Sequence, residues 1–111
     1  MNKIIEELVK NIREKISLNA ALLQIAEEAA ELSKAACKLA RIYDGTNPTP
    51  VTEKAAMKEF VEEFDDVLNA ASVVGLNPDI NRQAQKMARW YMRLLQNDRN
   101  EEDEEDEADS D

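Results

Sequence analysis

Two glycines and three prolines leave this chain of 111 residues little material for turns, and all five fall between Gly45 and Pro78. So few breakers leave room only for a small number of long elements. The residues outside that window repeat with a helical period. Ile4, Ile5, Leu8, Val9, Ile12 and Ile16 recur at intervals of three and four, which predicts a first amphipathic helix with one apolar stripe. Ser17 and Asn19 are N-cap residue types, and Leu22, Leu23, Ala26, Ala29, Ala30, Ala36, Leu39 and Ala40 carry a second helix to about Tyr43. Asp44 to Pro50 concentrates turn formers and reads as the major loop. Thr49 with Pro50, or Thr52 one turn later, caps a third helix over Val51 to Val74, closed by Gly75. Asn77 caps and Pro78 opens a fourth, striped by Ile80, Ala84, Met87, Ala88, Tyr91 and Leu95 and ending near Gln96 or Asn97. The expected fold is all-α and four-helix bundle-like.

The formal charge of −10 is unevenly spread. From Asp98 onward ten acids face Arg99 alone, so this stretch carries −9 and residues 1–97 only −1. A run of like charges without apolar anchors does not offset its ordering entropy, which predicts a helical domain over 1–97 and a disordered acidic tail over 98–111. With only 5% aromatic residues, the core must be aliphatic and alanine-rich. Helices two and three carry apolar residues on more than one stripe, and a body this small is marginal alone, so a homodimer or homotetramer is expected.

The N-terminus is charged throughout and Cys37 has no partner for an internal disulfide. The longest uncharged stretch, Val67 to Pro78, is shorter than the roughly 18 residues of a membrane span. These features predict a cytoplasmic protein that engages neither membrane nor, directly, nucleic acid.

Helix two contains Glu27-Glu28-Ala29-Ala30-Glu31 and helix three Glu62-Glu63-Phe64-Asp65-Asp66. Positions three apart share a helix face, so Glu28 with Glu31, and Glu63 with Asp66, form two acidic pairs. If the helices face each other, four carboxylates converge, and such a cluster calls for cations. Oxygen ligands without imidazole or thiolate select Mg²⁺, with Mn²⁺ as the alternative. The absence of histidine excludes the usual di-iron bundle, a Ser-His-Asp triad and a Cys-His pair, and no glycine-rich phosphate loop is present.

EExxE at Glu27 to Glu31, followed by ExxD at Glu63 to Asp66 within EEFDDVL, resembles the MazG-like all-α nucleoside triphosphate pyrophosphatases. The likeness spans about Leu18 to Leu95 and includes AALLQIAEEAAELSKA, the NPTP loop and QKMARWYMRLL, as in small phage-type members. It implies a metal-dependent pyrophosphohydrolase that yields a nucleoside monophosphate and pyrophosphate. It also implies that Glu28, Glu31, Glu63 and Asp66 bind Mg²⁺, with Glu27 and Glu62 in or beside the shell. A longer, proline-rich stretch between the two motifs departs from the family and bears on the base pocket. Either Glu27 or Glu62 can serve as the base that holds the attacking water.

Lys34, Lys38 and Arg41 continue the acidic face of helix two and are candidates for gripping phosphates, as is Arg89, within the stripe Arg82, Lys86, Arg89 and Arg93. Asn69, one turn after Asp66, is a candidate for a ribose or a metal-bound water; Asn19 and Gln24 are candidates for a base edge. Trp90 and Tyr91 are expected to pack at a boundary between subunits, and Cys37 to be a small buried residue. The alternatives are a non-catalytic helical nucleotide- or protein-binding module and a phosphoribosyl-ATP pyrophosphatase-like enzyme.

Overall fold

The computed structural model describes residues 2–45 and 50–109. Thr49, one of the two expected caps, lies outside them. The described residues form four helices and no strand: α1 Lys3–Arg13, α2 Leu18–Asp44, α3 Glu53–Val74 and α4 Ile80–Asp109.

Each helix begins where a short polar side chain takes up an orphan backbone N–H. Asn2 Oδ1 accepts from Ile4 N at 2.8 Å, Ser17 Oγ from Ala20 N at 3.0 Å, and Thr52 Oγ1 from Ala55 N at 3.2 Å. At α4 the cap is Asp79, whose Oδ1 accepts from Arg82 N at 3.0 Å; this corrects the expected start at Asn77 and Pro78 by two residues. Gly45 and Gly75 end α2 and α3 at φ +68 and +93, a left-handed backbone that favours glycine. No described helix is long and apolar enough to cross a membrane.

The contacts divide the chain into two compact units, Met1–Asn77 and Pro78–Asp111. In the first, α2 and α3 form an antiparallel pair. Ala21 and Ala70 line one cleft, Glu28 meets Glu63 and Asp66, and Lys38 pairs with Glu59, so rising numbers on α2 meet falling numbers on α3. In that register Ala35 falls opposite Ala56. The buried apolar residues are Ala21, Ala35, Leu39, Ala56 and Ala70. Two layers of alanine, one heptad either side of Glu28 and Glu63, therefore let the two backbones approach closely. α1 packs on α3 with none of its own residues buried. Arg13 fastens its end: Nε donates to the Val73 carbonyl at 2.9 Å and Nη2 to the Ser72 carbonyl at 3.2 Å. Both carbonyls belong to the last turn of α3, and that of Ser72 also accepts from the Gly75 N–H at 3.1 Å.

Met57, Val61, Phe64 and Leu68 follow one another at intervals of four and three along α3 and stay 40–51% exposed. This is the second apolar stripe expected from the sequence, uncovered in the single chain.

The second unit holds α4, about 45 Å long at 1.5 Å per residue. The sequence predicts its end near Asn97 and disorder beyond; the structure carries the helix on to Asp109. Asp98 to Asp109 contains neither glycine nor proline, and glutamate is a good helix former, so nothing local stops the helix. What the composition did foretell is the absence of packing: residues 96–108 are all exposed.

Candidate metal centre

Glu28 and Glu63 sit at corresponding points of the α2 and α3 seam, between the alanine layers, and both are half-buried. Asp66, one turn beyond Glu63, is exposed. One carboxylate oxygen from each of the three lies within 4.8 Å of the other two. Gln24 Nε2 donates to Glu28 Oε1 at 2.8 Å from one turn earlier on α2, which steadies that carboxylate. The fourth expected ligand, Glu31, stands beside this trio rather than in it. Its Oε2 lies 3.9 Å from Lys34 Nζ, yet its charge still reaches Glu63.

The electrostatics follow from this crowding. Removal from water, then the charges of Asp66, Glu28, Glu31 and Glu59, hold the Glu63 carboxyl above the ordinary carboxylate range. Glu59 is a member of the cluster that sequence reasoning missed. Its signal was available, because it lies one turn before Glu63 and on the α3 face that meets α2.

Glu27 and Glu62 are exposed, each about 100° round its helix from its neighbour in the trio. Lys34, Lys38 and Arg41 line a cleft of about 300 Å³ with Glu31, Ser33, Cys37 and Glu59. Lys38 is already engaged there, its Nζ 2.9 Å from Glu59 Oε2. A second cleft, about 210 Å³, holds Glu28 and Asp66 at its polar end, with Gln24 and Asn69, and continues along Ala21, Ala70, Val73, Ile12 and Ile16. Asn69 thus adjoins the carboxylates as its spacing predicts, and Asn19 is exposed in the first turn of α2. Ile12 and Ile16 were read from the sequence only as core stripe. Arg89, Trp90 and Tyr91 are exposed on α4, in the other unit. Cys37 is exposed rather than buried, since the buried face of α2 runs through Ala35 and Leu39.

Tyr43 and Glu53 meet across the two ends of the Gly45 to Thr52 connection. The hydrogen bond with Glu53, then desolvation and the Glu53 charge, raises the Tyr43 phenol.

Three carboxylate oxygens at this separation, with no imidazole or thiolate among them, make a hard-donor set suited to a divalent cation such as Mg²⁺ or Mn²⁺. The acids that lift the proton affinity of Glu63 are the ones such a charge would offset. Comparison with protein-family models, with curated proteins and with solved structures gives no match.

Proposed function

We propose that this chain is a Mg²⁺-dependent nucleoside triphosphate pyrophosphohydrolase of the MazG-like kind, active as a cytoplasmic homodimer or homotetramer. The observation that carries the reading is the convergence of Glu28, Glu63 and Asp66 from two helices. An acidic cluster on one solvated helix face would not draw oxygens from the opposing helix. The EExxE and ExxD motifs agree with it, as does the half-exposed α3 stripe, which a second copy would cover.

In this reading Glu28, Glu63 and Asp66 hold the ion, with Glu31 beside them and Gln24 orienting Glu28. Bound Mg²⁺, for which Mn²⁺ can substitute, supplies polarisation of phosphate oxygens and acidification of water. Lys34, Lys38 and Arg41 draw the β and γ phosphates, Lys38 exchanging Glu59 for the incoming anion. Asn69 faces the sugar. With no histidine in the chain, a carboxylate, Glu27 or Glu62, takes the proton of the attacking water. The water oxygen bonds to the α phosphorus, the bond to the bridging α–β oxygen breaks, and pyrophosphate departs, leaving a nucleoside monophosphate.

Incubation of the full chain with Mg²⁺ and a panel of ribo- and deoxyribonucleoside triphosphates, phosphoribosyl-ATP included, should release pyrophosphate. Glu63→Gln should lower turnover by about 100-fold or more. Absence of turnover on every nucleotide sinks the proposal. Sedimentation of the active protein at the mass of a single chain removes its oligomeric part.

A further inference from the structure

The cleft that starts at Glu28 and Asp66 does not end with polar groups. It runs on along Ile12 and Ile16, which remain 41% and 39% exposed although they lie against it. A cation site needs no apolar wall. A wall of half-covered isoleucines joined to a carboxylate cluster suits a ligand with a charged end and an uncharged ring.

That wall comes from the region of the first unit least held by packing. α1 buries no residue of its own, and Ile4 and Leu8 along it are 70% and 53% exposed. Its firm attachment is polar: the two hydrogen bonds from Arg13 to the Val73 and Ser72 carbonyls, made next to Ile12 in sequence. Gly75 leaves space for the guanidinium, because a Cβ there would lie 3.1 Å from Arg13 Nη2.

We infer that Arg13 is a positioning residue for the substrate site: by gripping the last carbonyls of α3 it sets Ile12 and Ile16 as the wall against which the ring of a nucleotide lies. The ring-binding half of this inference rests on the function proposed above; the latch half does not. Arg13 touches neither phosphate nor ion. Its effect is on where α1 sits, and so on ligands that carry a ring.

Hydrogen exchange on the full chain, without ligand, compares wild type with Arg13→Met and Arg13→Lys. Loss of two hydrogen bonds should speed exchange of the Leu8 to Ile12 amides by about tenfold in Arg13→Met. Lysine, which cannot reproduce the forked pair, should rescue only part. Unchanged α1 exchange, or acceleration confined to Gly75 and Leu76 at the end of α3, overturns the latch. With Mg²⁺ present, Arg13→Met should weaken binding of a nucleoside triphosphate about tenfold and leave that of inorganic tripolyphosphate unchanged. Equal weakening of both overturns the ring-binding wall. If wild type binds neither, the proposed function and the wall fall together, while exchange still judges the latch.

Discussion

Glu63 is the residue on which the site's energetics turn. Its carboxyl is held above the ordinary range by desolvation and by Asp66, Glu28, Glu31 and Glu59. The folded protein therefore binds this proton more tightly than the unfolded chain does. Stability from the protonated group is complete below the ordinary glutamate pKa of about 4.3 and is lost as pH rises through the raised value. A divalent ion should replace that proton and restore the loss. Melting temperatures just below the ordinary glutamate pKa and well above it check this. Wild type should lose stability over that interval and regain it with Mg²⁺, whereas Glu63→Gln should show a flatter pH response and little response to Mg²⁺. A Gln variant that follows wild type in both would show the carboxylates are uncoupled.

At the scale of elements, the α2 and α3 seam determines whether those carboxylates meet. Ala35 and Ala56, 2% and 1% exposed, form one of the two layers that bracket Glu28 and Glu63. Ala56→Leu should push the helices apart at a cost of about 1–3 kcal/mol and blunt the Mg²⁺ response, read by melting with and without the ion. An unchanged response would mean that this layer does not set the separation of the acids. Much of this geometry was legible in the sequence, because intervals of three and four fix which residues share a face. Glu28, Glu63 and Asp66 meet accordingly. Glu31 stands aside because a shared face says nothing of register, and register decides which member of an acidic pair reaches the neighbouring helix. The clue was the parallel spacing of Ala21, Glu28 and Ala35 with Ala56, Glu63 and Ala70. Arg13 left no such trace, since its partners are backbone carbonyls, which every residue has. The caps were readable as residue types but not as positions, with Asp79 taking the role expected of Asn77.

For the whole molecule, the two units divide the work. Every residue of the carboxylate cluster and of the cleft beside it belongs to Met1–Asn77, while Pro78–Asp111 carries most of the charge imbalance. A chain ending at Asn97 should keep the Mg²⁺-dependent rise in melting temperature, and keep turnover within about threefold of the full chain, a change of less than about 1 kcal/mol in the barrier. Loss of the metal response on truncation would show that the acidic segment takes part in holding the ion.

That segment also has a property of its own. Glu101 and Glu105, like Glu102 and Asp106, stand one turn apart as like charges, and negative charge late in a helix opposes the dipole of the peptide groups. Counterions weaken both repulsions over a Debye length of about 10 Å at 0.1 M salt. The last three turns of α4 should therefore hold better in high salt than in low, while the apolar contacts between α2 and α3 should change little, a difference that helical ellipticity of the full chain against one ending at Asn97 would read.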